Sequence, residues 1–347
     1  MERPSDWMRA LESVEAYDGA DFDAALVEDL HAAARHRPQT GIRFSTPTFK
    51  EYSGGELSGC SKNSFPAFSV TAGACALDCD HCKAKILEPM IPATDPEMLD
   101  RKVRDLVLLQ NLQGFLLSGG SNRRNEIKYE RYYPTIEKLK RDFPHLKIAI
   151  HSALIDGPRA KRMESAGVDT AMMDVIGAEE TIRDVYHLNR PVEDFETALA
   201  ALCSTGMEVV PHIVIGLHYG RIVGEANALD IVARHKAHSL VLVVIMPFYA
   251  KPGTFVTPGT SAVGRIFLEA RRRVRDRPVL LGCARPPGMH KRVVDAYAVM
   301  AGLDGIAFPA DGAVALSDAI GRPYQQSHAC CSIKIGEGSV VLKSCAA

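Results

Sequence analysis

From about residue 65 onward, short apolar, β-branched runs alternate with longer amphipathic segments. That pattern predicts repeated β-α units built around a parallel sheet. Eight runs carry it: Phe65 to Thr71, Gly114 to Leu117, Lys147 to His151, Thr170 to Asp174, Val209 to Ile215, Leu240 to Ile245, Val279 to Cys283 and Gly305 to Phe308. Between them, amphipathic stretches predict helices over Asp95 to Gln110, Tyr132 to Arg141, Arg159 to Ala166, Val192 to Cys203, Gly224 to Arg234, Gly264 to Val274 and Lys291 to Ala301. Eight strands with intervening helices predict a (β/α)8 TIM-type barrel, closed or partly open, with an open doubly wound sheet as the alternative.

Residues 1–63 read as an N-terminal extension of two helices, near Asp6 to Tyr17 and Phe22 to His36, followed by an irregular stretch rich in Gly and Ser. The barrel is expected over 64–310. Residues 311–347 are too short for a domain and are expected to form a cap closing one end. No internal repeat interrupts this scheme.

At 347 residues and 46% apolar, the chain can bury a barrel core; such a domain takes about 250 residues and leaves the rest for extensions. The formal net charge of −1 excludes partners held by a global basic field, so neither nucleic acid nor a membrane surface is expected. The local run Arg271 to Arg277 reads as the solvated end of a helix. The first residues contain no apolar signal core, and no stretch reaches the roughly 18 apolar residues of a membrane span, which predicts a cytosolic protein. Nine cysteines in a reducing compartment are then metal ligands or buried small residues rather than a disulfide framework.

Cys75, Cys79 and Cys82 give the spacing C-x3-C-x2-C. Three thiolates suit three irons of a 4Fe-4S cluster and leave the fourth iron without a protein ligand. Zinc is the alternative, but a zinc site wants four ligands, commonly as C-x2-C pairs, whereas this loop is an unequal triplet with His81 inside it. The loop directly follows the first predicted strand, at the C-terminal strand ends where barrel enzymes assemble their sites. Ser118-Gly119-Gly120 ends the second predicted strand, and glycine there lets backbone approach a ligand closely.

The C-x3-C-x2-C loop resembles the signature of the radical S-adenosylmethionine (radical SAM) enzymes. The resemblance implies that the methionyl end of SAM occupies the open iron. It further implies that Ser118, Gly119 and Gly120 meet the methionyl amino group and that His81, where the family commonly has an aromatic residue, lies near the adenine. Asp174 resembles the acidic residue that contacts the ribose in biotin synthase-like enzymes; a helix N-cap is its other reading. Asp174 to Gly177, Arg183 to Leu188, Pro211 to Leu217, Gly282 to Pro286, Asp295 and Ala301-Gly302 look like the biotin synthase and lipoyl synthase branch over roughly residues 60 to 310.

Six cysteines remain. Cys203 ends a predicted helix and is expected to pack; Cys345 stands near the terminus. In the resembled branch an auxiliary iron–sulfur cluster is consumed as sulfur donor, and Cys60, Cys283, Cys330 and Cys331 are its candidate ligands here. Cys283 alternates with Leu281 and Arg285, so the three are expected to share a strand face, and a buried Arg285 would need an anionic neighbour. Biotin synthase carries auxiliary cysteines on earlier strands where this chain has none, and the single-chain lipoyl synthase has a compact triplet before the barrel where this chain has only Cys60. The pattern most resembles a component of the two-protein lipoyl synthase. It implies sulfur insertion into an octanoyl chain on a carrier protein or domain, a second radical SAM subunit, and an electron donor such as ferredoxin or flavodoxin. A radical SAM reaction without sulfur insertion and a non-catalytic metal-binding scaffold are the rival readings.

Overall fold

The computed structural model describes residues 6–35, 40–47, 52, 54–57, 65–110, 112–246, 248–328, 330, 332–333 and 341–343. Its strands are β1 (Ile42–Ser45), β2 (Ala67–Ser69), β3 (Ile91–Pro92), β4 (Gly114–Ser118), β5 (Lys147–His151), β6 (Thr170–Asp174), β7 (Glu208–Ile215), β8 (Leu240–Val244), β9 (Val279–Leu281), β10 (Gly305–Ala307), β11 (Tyr324–Ser327) and β12 (Val341–Lys343). The helices are α1 (Asp6–Glu12), α2 (Ala24–Ala34), α3 (Pro96–Gln110), α4 (Tyr133–Asp142), α5 (Gly157–Ser165), α6 (Glu179–Asp184), α7 (Val192–Cys203), α8 (Glu225–Arg234), α9 (Thr260–Arg273), α10 (Met289–Met300) and α11 (Ala313–Ala319).

All strands join one sheet in the order β12-β11-β1-β10-β9-β8-β7-β6-β5-β4-β2-β3. Every pairing is parallel except β11 with β12, so eleven parallel strands form an open, curled sheet of partial TIM-barrel type. From β4 to β10, each strand pairs with its successor in the chain. The sheet is therefore wound in one direction and lacks the order reversal of a doubly wound fold.

The strands bury both faces because helices cover the outside and the sheet's curl covers the inside. The outer face and the helices share one large apolar core. Helix α7 shows why its sequence docks: Phe195, Ala198, Leu199 and Leu202 recur at helical spacing and are all buried. Inside the curl, Ala149, Met172, Val210, Val241 and Leu280 from β5 to β9 form a closed apolar layer with Phe65 and Ile333.

Two terminal segments depart from expectation. Within residues 1–63, β1 inserts between β10 and β11, where the sequence predicted only helices and irregular chain. Its four residues are too few to reveal alternation, and its pairing partners lie more than 250 residues away. The tail does more than cap an end: α11 and β11 continue the α/β alternation, while Ile333 plugs the inner layer. The basic run also differs, because Arg271 is buried and its guanidinium donates to Asp304 Oδ2 at 2.8 Å. Among the described residues, no helix is long and apolar enough to cross a membrane.

Candidate active site

The three-cysteine loop leaves β2 and is wound tightly. Ala72, Asp78, Lys83 and Ala84 all have φ between 45° and 60°, a left-handed conformation that non-glycine residues adopt at a cost. Backbone bonds from Ala76 N to Ser121 O (2.8 Å) and from Asp80 N to Val185 O (2.9 Å) fix it to the loop after β4 and to the C-terminal end of α6. Cys79 is buried, and Cys75 and Cys82 are partly buried. The Cys79 thiol hydrogen-bonds to Cys82 and draws the Cys82 pKa well below its ordinary value, while the same bond pushes Cys79 up. A thiol–thiolate pair with a third cysteine on one short loop is a donor set whose chemistry suits iron or zinc, although among the described residues no three such side chains stand together as an assembled metal site.

The glycines after β4 are there for the cysteine loop itself. A Cβ on Gly120 would lie 2.0 Å from the Ala74 carbonyl oxygen and 2.6 Å from Cys75 Cα, and one on Gly119 would meet Val70 Cγ2 at 2.6 Å. Gly120 N donates to Thr71 Oγ1 at 2.7 Å, and the Ser118 carbonyl accepts from Val70 N at 2.8 Å. Only glycine lets β4 and the cysteine loop lie backbone to backbone.

His81 stacks on Tyr186, with ring centroids 5.1 Å apart, and its Nδ1 is buried without a partner among the described residues. The Tyr186 hydroxyl donates to Asp174 Oδ2 at 3.4 Å; burial, then the Asp174 carboxylate, hold its pKa well above the ordinary tyrosine value and keep it a donor. Asp174 is not a helix N-cap, since α6 starts at Glu179 behind Ala178 with no side-chain cap. Its carboxylate lies 3.8 Å from His151 Nε2, and His151 is 5.6 Å from the His212 ring. The register explains the grouping: Asp174 pairs with His212, and His151 with Met172. His212 Nδ1 contacts the Val210 carbonyl at 3.1 Å. Burial, then His151, push its pKa down to about 4, so the ring is neutral, Nδ1 carries the proton and Nε2 is an acceptor.

Sequence reasoning missed the latch beside the cysteines. Asp80 Oδ1 meets Lys83 Nζ at 2.9 Å and His187 Nε2 at 3.2 Å, and Oδ2 meets the Tyr219 hydroxyl at 3.0 Å. Burial works against the Asp80 carboxylate, but those three bonds hold its pKa below the ordinary value. His187 and Tyr219 both have positive φ, 56° and 55°, so two strained turns close on one carboxylate. Isolated aspartate, histidine and tyrosine residues in loops after different strands give no signal in a linear chain.

Of the candidate auxiliary ligands, Cys283 and Cys330 pack on the same small cluster of Ala307 and Phe308, beside Tyr52. Cys60 and Cys331 lie outside the described residues, as does Cys345. Because β9 ends at Leu281, Cys283 lies beyond the strand, and the alternation expected for Leu281, Cys283 and Arg285 does not hold. Arg285 has its anionic neighbour, Asp295 of α10, at Nη2–Oδ2 2.8 Å, and also donates to the Gly282 and Phe308 carbonyls; each of its nitrogens is bonded and it is turned to the helix layer. Cys203 packs on the main core, where burial raises its pKa to about 11.

Residues 69–223 match the Radical SAM superfamily. Among solved structures, methylornithine synthase (PylB) superposes with a TM-score of 0.55 at 11% identity, covering 89% of this chain and 87% of its own. HydG, a maturase of the FeFe-hydrogenase, superposes with a TM-score of 0.58 at 13% identity over 95% of this chain and 77% of its own. HydG from Carboxydothermus hydrogenoformans gives 0.54 at 13% identity over the same shares. At these identities the likeness is one of fold. No curated protein sequence matches. The matched segment runs from the end of β2 through the loop after β7 and contains every cysteine of the triplet, so this part of the chain is similar to the Radical SAM superfamily and the whole shares its fold with the solved structures above.

Proposed function

We propose that the enzyme is a sulfurtransferase of the lipoyl synthase type, inserting sulfur into an unactivated C–H bond of an octanoyl chain carried on a protein lysine. The observation that carries this reading is the convergence of Cys283 and Cys330 on Ala307 and Phe308. In the sheet order β9 and β10 stand far from β2, and Cys330 also packs against the inner apolar layer, which supports a second cysteine group separate from the triplet. The mouth is divided accordingly. His151, Asp174 and His212 give β5 to β7 a polar wall, while Val243, Ala307 and Phe308 give the other side an apolar one suited to an acyl chain.

In this reading Cys75, Cys79 and Cys82 hold the 4Fe-4S cluster, and Ser118, Gly119, Gly120, His81 and Asp174 hold SAM. Cys283 and Cys330, with Cys60 and Cys331, hold the auxiliary cluster. When bound, the first cluster would relay one electron to SAM, and the auxiliary cluster would supply the sulfur. The chain orients the radical precursor against one C–H bond and excludes competing reactions. A second radical SAM subunit completes the other insertion, and a ferredoxin or flavodoxin delivers the electron.

Anaerobic incubation with SAM, reductant and an octanoyl-lysine peptide tests the reading by mass spectrometry: a gain of one sulfur is expected. Iron and sulfide should persist in a Cys75→Ala/Cys79→Ala/Cys82→Ala variant after reconstitution. If that variant holds none, the sulfur-donor assignment is wrong. The polar wall then favours a second reading, radical SAM chemistry on a small polar molecule with one cluster per chain.

A further inference from the structure

Large apolar side chains are exposed at eight positions among the described residues. Five of them, Ile222, Val223, Phe248, Val256 and Met289, stand on or beside the loops after β7, β8 and β9. Phe248 and Val256 are the most open of these, at 62% and 61% exposure. The loops form one ledge. Val256 N donates to the Tyr219 carbonyl at 3.3 Å, the Tyr219 and Phe255 rings are 5.0 Å apart, and His290 Nε2 meets the Pro258 carbonyl at 2.8 Å.

The charge of the ledge departs from that of the whole chain. Asp and Glu together number 42 against 41 Lys and Arg overall, yet residues 216–224, 245–259 and 282–290 contain no Asp or Glu. Arg221 and Lys251 are exposed on them, and Arg285 is buried against Asp295. Contiguous exposed apolar surface marks interaction sites, and a carboxylate-free basic rim attracts an acidic partner. The ledge also borders the mouth, because Tyr219 on its first loop touches Asp80 of the cysteine loop.

We infer that this ledge docks the acidic face of the protein domain whose acyl-lysine arm enters the mouth. The inference rests on the proposed sulfur insertion, since an acyl chain attached to a protein can reach the barrel interior only if that protein rests on the rim. Two exposed basic residues are few for a lipid surface, where each contributes about 1 kcal/mol.

The test uses Phe248→Asp and Lys251→Glu in the full-length, reconstituted enzyme with two substrates, an octanoylated carrier domain and a short octanoyl-lysine peptide. Each change should raise KM for the carrier domain about tenfold, the usual effect of losing a contact near 1.4 kcal/mol. Turnover of the peptide, and formation of 5'-deoxyadenosine, should stay at the wild-type level. Unchanged KM for the carrier domain overturns the ledge while leaving the proposed chemistry standing, as does a wild type that handles peptide and carrier equally well. Co-sedimentation with phosphatidylserine vesicles that these changes abolish, with carrier kinetics unaffected, reassigns the surface to a membrane and also overturns it. Sulfur gain on neither substrate overturns the chemistry and the ledge together.

Discussion

Replacing Gly120 with alanine is the sharpest test of how β4 supports the cysteine loop. The new Cβ would lie 2.0 Å from the Ala74 carbonyl oxygen, 2.6 Å from Cys75 Cα and 2.7 Å from Cys75 Cβ. Real Cβ atoms essentially never approach closer than 3.0 Å, so the two backbones must part by roughly 1 Å. No flexible side chain can yield in their place. The Gly120 N–Thr71 Oγ1 and Ala76 N–Ser121 O bonds oppose the movement and would be stretched. Overpacking costs about 1–3 kcal/mol when side chains adjust, and a backbone collision belongs at the upper end of that range. Cys75 moves with its loop, so a sulfur of the triplet is displaced by a similar distance. Anaerobic reconstitution followed by iron and sulfide analysis should show most of the cluster lost, and thermal unfolding should drop by at least a few degrees. Gly157→Ala is the control: nothing lies within 4 Å of a Cβ there, at the first position of α5, and both readouts should stay unchanged or improve slightly. A Gly120→Ala protein with wild-type iron content and wild-type melting temperature would refute the reasoning.

Asp295→Asn should destabilise the fold by about 3–5 kcal/mol, because it strands the fully buried Arg285 charge; chemical denaturation measures this, and a loss below about 1 kcal/mol contradicts the burial argument. Tyr219→Phe removes the hydroxyl bonded to Asp80 and to the Asp184 carbonyl; it should cost about 0.5–1.5 kcal/mol and speed iron loss to a chelator, whereas unchanged chelation kinetics would show that the latch does not hold the cysteine loop. His212 has its folded pKa lowered to about 4. The unfolded chain therefore takes up a proton that the folded one refuses, and stability should fall as pH drops from about 6.5 towards 4. His212→Gln should flatten that part of the pH–stability curve; an unchanged slope places the titration elsewhere.

Strands β5 and β6 have the bounds that the apolar runs predicted, and α7 matches its predicted span, because strongly periodic segments declare themselves locally. By contrast, β1 and β11 were silent. Ile42–Ser45 is short, and Tyr324–Ser327 is mostly polar, since Gln325 and Gln326 replace the usual apolar run; both strands depend on partners distant in sequence. The cysteine triplet was legible because its ligands share one loop. His151, His212, Tyr186 and Asp80 were not, because their meaning lies in register and in contacts between loops. One clue was present: His151 has the same strand parity as Ala149, and His212 as Val210, so a polar side chain on the inward face at a strand's C-terminal end marks the mouth.

The placement of β1 has a consequence for biosynthesis. This strand leaves the ribosome among the first elements, yet its neighbours β10 and β11 are among the last. At translation rates of about 5–20 residues per second, it waits roughly 15–55 s for both partners. Over that interval β2 to β9 can assemble in chain order, with the cysteine loop already anchored between β2 and β4, while one side of the curl stays open. The nascent chain thus keeps one side of its curl without its final strands until β10 and β11 have been made.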